Sequence, residues 1–271
     1  MIGICSTQRS GTTVFRQMLS VAGAVDLGEI FHLQAGENGF YAYLKNAMEQ
    51  APDAIHPQMQ PTVFRSYLDA LKNRCPEGQV VIDIKIDHAA ALDFGYPGGT
   101  YVSYRVLREI NAKIIRVHRM NRLRVVLSHL IAKKTGVWSQ GRSQGLAPET
   151  INVPVELLIG QLVADMKAVE EIRLRIPWGL TVIYEHLFDP NGNVAPYASE
   201  VVSALCQNQT SAADIQAGLT MSRQNPEPIS DILANYDEVK KALLGTEFAW
   251  MLEFDSLALK ATGECGSAKR R

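Results

Sequence analysis

Apolar and polar positions fall in blocks along this chain, and the period changes from block to block. Met1–Ser6 is a short, nearly continuous apolar run, as expected of a strand buried on both faces. From Thr12 to Ala22 the apolar positions Val14, Met18 and Leu19 share one side of a 3.6-residue repeat, which predicts a helix. A looser stretch precedes two further helical patterns at about 38–50 and 61–74. The β-branched run QVVIDIKID (79–87) predicts a second strand, followed by a proline-glycine turn. A helix over 100–111 leads into a third strand, AKIIRVH (112–118). Next comes a helix over 121–134, with Leu123, Val126, Leu127, Leu130 and Ile131 as its buried stripe and Asn121 as its cap. Residues 135–153 have no period and read as loop. A long helix from Pro154 to Arg175 turns Val155, Leu158, Leu162, Met166 and Val169 inward, LTVIYEHL (180–187) supplies a fourth strand, and DPNGN (189–193) is turn chemistry. The block 229–252 reads as helices packed on the same core.

Strands separated by helices need crossover connections, so the pattern predicts an α/β protein in three layers, α/β/α, around a central and mainly parallel sheet. No repeat or linker divides it: residues 1–258 read as a single domain and 259–271 as a disordered tail.

Composition adds little to this picture. With 271 residues, 46% hydrophobic, 20% charged and a formal net charge of −1, nothing global calls for a nucleic acid or a membrane surface as partner. No apolar run approaches the roughly 18 residues of a membrane span, and the opening MIGIC lacks the basic and apolar regions of a signal peptide. Cys5, Cys75, Cys206 and Cys265 show neither CxxC nor metal spacing, which predicts reduced thiols in a cytoplasmic protein.

Charge is unevenly spread, however. Between Arg105 and Arg142 stand ten basic residues against one acid, Glu109, an excess that suits either a solvated basic face or a small polyanion.

The candidate chemistry begins at QRSGTT (8–13), between the first strand and the first helix. Gly11 permits close backbone approach, Ser10, Thr12 and Thr13 offer hydroxyls, and the helix start aims unpaired N–H groups at the turn, so the segment reads as an anion cradle or as a plain polar turn with Thr12 as N-cap. It lacks the lysine of a GxxxxGK[ST] loop, and Arg9 brings positive charge from the strand side instead. A second strand-to-helix junction, RVHRMNRLRVVLS (116–128), carries Arg119, Arg122, Arg124 and Ser128. Two anion-binding strand ends in one parallel sheet imply a ligand with two phosphates lying across the carboxyl edge.

Together the two segments resemble the nucleotide-binding motifs of sulfotransferases that use 3′-phosphoadenosine 5′-phosphosulfate (PAPS), especially the bacterial group around nodulation-factor and trehalose sulfotransferases. QRSGTT resembles that family's 5′-phosphosulfate loop, and RMNRLRVVLS with KKTGVW its 3′-phosphate segment. LGEIFH (27–32) is similar to its glycine-glutamate-aromatic segment, VIYEHL to its late strand, and ISDILANYDEVKKALLGTEF to its C-terminal block. One departure is that Met120 stands directly before Asn121, where the family usually has arginine; Arg119 lies one position earlier and reads as pointing away, so Arg124 or Arg122 takes part of that role.

The resemblance implies a nucleotide-kinase-like (P-loop-NTPase-like) sulfotransferase fold and transfer of a sulfuryl group from PAPS to a hydroxyl, releasing adenosine 3′,5′-bisphosphate (PAP) without a metal. Arg9 would neutralise the leaving phosphate, with Ser10, Gly11, Thr12 and Thr13 holding the phosphosulfate and Arg119, Arg124 and Ser128 the 3′-phosphate. Glu29, read as a loop residue, would be the base, with His32 and His118 in reserve. Lys85 either faces the acceptor or snorkels to solvent. Phe31, Phe40, Tyr41, Tyr43 and Trp138 read either as a wall for the acceptor, a carbohydrate, another small molecule or a glycolipid precursor, or as core. A homodimer is left open.

Three other readings are weighed. GRSQG (141–145) matches a nucleophile elbow at Ser143 but sits in a loop after a helix instead of between a strand and a helix. An ATP-dependent kinase would share the cradle but needs magnesium-binding carboxylates and a loop lysine. A non-catalytic nucleotide- or nucleic-acid-binding module would rest on the basic run, whose aromatic content is thin for base stacking.

Overall fold

Short β-branched runs and amphipathic segments alternate in the computed structural model of the chain, which describes residues 1–33, 35–75, 78–92, 101–138, 150–220 and 228–252. In chain order the elements are β1 (Ile2–Ser6), α1 (Thr12–Val21), β2 (Val25–Glu29), α2 (Phe40–Gln50), α3 (Gln60–Arg74), β3 (Val80–Lys85), α4 (Ile86–Leu92), α5 (Val102–Glu109) and β4 (Lys113–His118). They continue with α6 (Arg122–Thr135), α7 (Val155–Arg175), β5 (Leu180–Ile183), α8 (Pro196–Cys206), α9 (Ala212–Gly218), α10 (Ile229–Ile232) and α11 (Tyr236–Leu243). The GRSQG segment with Ser143, the proline-glycine turn and the 259–271 tail lie outside the described residues.

The five strands form one parallel sheet in the order β2-β3-β1-β4-β5. β1 is buried throughout and lies at the centre, with Ile2 opposite Val81 on one side and Lys113 on the other. Alternation along the strands splits the core between the two faces. Ile2, Ile4, Val81, Ile115 and Val182 face α1, α8 and α9. Cys5, Ile82, Ile84 and Ile114 face α2, α3, α5 and the C-terminal part of α7. A third apolar cluster joins α6, the first half of α7, α10 and α11. The layers are therefore α/β/α, with the sheet entirely parallel.

Three differences from the pattern reading have physical causes. Among the described residues there are five strands, not four: β2 (VDLGE) has only Val25 and Leu27 as apolar residues among strand-depleted Asp, Gly and Glu, and as an edge strand it is nowhere buried, being held by pairing with β3 alone and kinked by a register shift between Asp26 and Glu29. LTVIYEHL ends as a strand at Ile183, and Tyr184–Leu187 is a 3₁₀ turn. On α7, Met166 is exposed and Val155 and Val169 are half-buried, while Leu158, Leu162 and Ile172 are buried. The buried stripe passes through Asp165, an acid in ion pair with Arg122, and the apolar pattern skips to Met166 next to it.

Candidate active site

Each strand ends at one cleft of about 800 Å³ above the carboxyl edge, around the point where the connections leaving the neighbouring strands β1 and β4 run in opposite directions. β1 delivers Arg9 and Gly11, β2 Glu29, β3 Lys85, β4 Arg119 and β5 Tyr184. Helix α6 adds Ser128 and His129.

The β1–α1 turn is built on unusual backbone. Gly11, the N-cap of α1, has φ +87°, and a Cβ there would lie 2.2 Å from Cδ2 of the Tyr184 ring. Only glycine meets both conditions, which explains the residue at the centre of the motif. Arg9 is also left-handed, at φ 60°, a conformation that costs a non-glycine residue about 1–2 kcal/mol. Such turns form concave anion-binding surfaces. Thr12 is not the cap; its Oγ1 accepts a hydrogen bond of 2.5 Å from Lys85 Nζ.

The left-handed turn carries the Arg9 side chain across the cleft to α6. Its Nε and Nη2 donate to Ser128 Oγ at 3.1 and 2.9 Å, and its Nη1 donates to the Trp138 carbonyl. Burial, and then the like charge of Arg119, pull Arg9 below the usual arginine value, while Glu29 acts in the opposite sense. The two segments singled out in the sequence thus meet at one hydrogen-bonded point.

Arg119 lines the cleft after all. The chain leaves extended geometry at the end of β4, and the Arg119 guanidinium lies 5.0 Å above the Tyr184 ring. Arg122 does not line the cleft: it is buried, ion-paired with Asp165, and donates to Thr7 Oγ1 at 2.6 Å and the Arg119 carbonyl at 3.1 Å. Because Thr7 Oγ1 is hydrogen-bonded to Ser10 Oγ at 2.8 Å, Arg122 braces the cradle loop and the β4–α6 turn together. Arg124 and Ser10 are buried behind the cleft wall. Asn121 caps α6 as read from the sequence, its Oδ1 accepting from Arg124 N–H at 3.2 Å. Of the nine described members of the basic run, Arg119 alone reaches the cleft; Arg116 and Lys113 donate to the carbonyls of Gly179 and Leu205.

A buried carboxylate, Glu185, was not anticipated. Its two oxygens accept from the Met120 and Asn121 N–H groups at 2.9 and 3.1 Å, fixing the turn that presents Arg119. Lys85 does not snorkel: it lines the cleft yet is 1% exposed, and Nζ donates to Asp83 Oδ2 (2.8 Å) and Ser6 Oγ (3.1 Å) as well as to Thr12, with Glu29 Oε1 at 3.7 Å. Asp83 also faces Arg16 Nε at 3.5 Å, and Arg16 Nη1 reaches Asp26 at 2.8 Å. Burial works against the Arg16 charge, but Asp83 and Asp26 outweigh it and hold the group above its ordinary value. This chain of alternating charges underlies the cradle and ends at Glu29. The sequence signal was Asp83 and Lys85, two charges on one face of an otherwise apolar strand.

Glu29 is the last residue of β2, not a loop residue, and its placement is set by Gly28 (φ +74°), whose N–H donates to Asp26 Oδ1 at 2.8 Å. His32 lines the cleft and His118 does not. The expected aromatic acceptor wall is mostly core: Phe31 and Phe40 are buried edge to face at 5.4 Å, Tyr41 and Tyr43 pack half-buried on the same cluster, and only Trp138 lines the cleft.

Two histidines carry a pH prediction. Burial and then Arg122 lower His118, and burial and then Arg9 and Lys133 lower His129. Both bind protons more readily in the unfolded chain, so their contribution to stability is complete above the ordinary imidazole value of about 6.5 and is lost as pH falls through and below it. Urea denaturation between pH 7.5 and 5.5 is expected to show falling stability, flattened in a His118→Gln, His129→Gln double variant.

No family model matches the chain, and no curated protein matches it. Among the described residues no helix is long and apolar enough to cross a membrane.

Proposed function

We propose that the chain is a PAPS-dependent sulfotransferase acting on a hydroxyl acceptor in a reducing, cytoplasmic setting. The observation that carries this reading is the Arg9–Ser128 contact, which joins the two candidate phosphate sites. The 3′- and 5′-phosphates of the donor hang from a single ribose, so residues that hold them must be neighbours across one cleft. Sites for the ends of a long dinucleotide would stand apart.

The donor supplies a sulfuryl group already bonded to a good leaving group. Glu29 takes the acceptor hydroxyl proton as the new oxygen–sulfur bond forms and the bond from sulfur to the phosphate oxygen breaks, the electron pair staying on that oxygen. Arg9 and the N-terminus of α1 stabilise the charge gathering there, and Arg119 with Ser128 holds the 3′-phosphate. Tyr184, stacked against Gly11 and Arg119, closes the cradle on its open side.

Thermal denaturation with PAP, with ATP plus magnesium, with DNA and without ligand tests the donor. At one hundred times its Kd, PAP should stabilise by about 2.7 kcal/mol. Arg9→Ala should shrink that shift and lower turnover by about 10²–10³-fold. An equal response to ATP supports the kinase reading, and a response to DNA alone supports the binding module.

A further inference from the structure

One part of the cleft lining has a chemistry of its own. It is contributed by the end of β2, the residues just after it and the β3–α4 junction, and its polar groups are Glu29, His32, Lys85, Asp87 and His88. The His32 and His88 rings stand 6.1 Å apart, edge to face. His88 lines the cleft, with its Nδ1 buried and without a hydrogen-bond partner among the described residues. Glu29 has Lys85 beside it, whereas no lysine or arginine among the described residues forms an ion pair with Asp87, whose side chain opens into the cleft. His129, across the cleft, feels the Asp87 charge.

Such a lining is unsuited to a phenyl ring or an acyl chain, because covering the Asp87 carboxylate with apolar surface leaves it desolvated and unpaired. It suits a ligand that brings one positive charge and several hydroxyls. Of the aromatic side chains that would have suited a flat apolar acceptor, Phe31, Phe40, Tyr41 and Tyr43 pack on the core, and Trp138 and Tyr184 remain at the cleft. At about 800 Å³ the cleft lies high in the usual range for small-molecule sites, roughly 300–1,000 Å³, which leaves room for a sugar-sized acceptor beside a nucleotide.

We infer that the acceptor end of the cleft takes an amine-bearing polyol, such as an unacylated amino sugar, with its ammonium on Asp87 and a hydroxyl on His88, so that a further hydroxyl faces Glu29. The assignment deepens the sulfotransferase reading and rests on it for the chemistry, though not for the binding.

Both parts are tested on the full chain. Saturation-transfer NMR without donor, using glucosamine, glucose, N-acetylglucosamine and 4-nitrophenol as probes, should show glucosamine bound about 10–100-fold more tightly than glucose, the range for one charge-assisted contact. In Asp87→Asn that preference should fall to near unity, and in Asp87→Glu it should be partly kept. The PAP thermal shift serves as the folding control. With PAPS present, the preference should appear in KM. Equal binding of glucose and glucosamine, a preference for 4-nitrophenol, or a glucosamine preference that survives Asp87→Asn overturns the inference even if PAP binds. Asp87-dependent glucosamine binding without any PAP response upholds the amine site and overturns the donor reading instead.

Discussion

Replacing Glu29 by glutamine is expected to lower turnover by about 10²–10⁴-fold, the range for a positioned general base, and to leave the PAP-induced thermal shift largely in place. Glutamine keeps the shape of the side chain but cannot accept the acceptor proton. Glu29 lies at the end of β2 and lines the cleft, 3.7 Å from Lys85 Nζ, and makes no hydrogen bond to Arg9 or Ser128 although its charge supports that of Arg9, so the larger effect should fall on proton removal and the smaller on donor binding. Single-turnover kinetics beside the thermal shift distinguish the two. His32→Gln, on the same wall, should have the smaller effect. Normal turnover in Glu29→Gln, with loss in His32→Gln, would transfer the base to the histidine.

The second large effect is on folding. Lys85→Met should cost about 3–5 kcal/mol, because it removes the closest cation from a fully buried carboxylate and leaves Asp83 with Arg16, at 3.5 Å, as its ion-pair partner among the described residues. For a chain of this size the melting temperature should fall by roughly 6–20 °C. Asp83→Asn alongside Lys85→Met removes both charges and should recover much of the loss, since the penalty comes from an uncompensated charge more than from a missing attraction. Urea denaturation of the two single variants and the double variant gives the coupling energy directly. A single variant as stable as the parent would mean that the charge chain beneath the cradle does not hold it.

How legible the site was in the sequence depended on whether its residues act locally. Gly11 and Asn121 could be read because a left-handed turn and a helix cap are decided within a few residues. Glu29 was found but put in a loop, because a five-residue edge strand with only two apolar residues and an Asp, Gly and Glu among them carries too short a pattern to read. Helices α8 and α9 and the strand β2 were not anticipated at all. Lys85 was passed over because a single lysine at a strand end looks the same whether it meets water or a buried aspartate 2.8 Å away. Arg119, Arg122 and Arg124 were interchangeable in one dimension; packing sent the first to the cleft, the second to Asp165 and the third behind the wall.

The amino-acid order alone determined the alternation of strands and helices, hence a parallel sheet with helices on both faces, and the place of the cradle at the first strand's end. These follow from periodicity and turn chemistry, which are short-range. Which side chains share the cleft was decided only by the tertiary structure: Arg9 meets Ser128 across 119 positions, and Tyr184 lies against Gly11, because strand order brings five distant chain ends to one edge. Charge pairing and burial depend on distance in space, and no local pattern of residue types carries that distance.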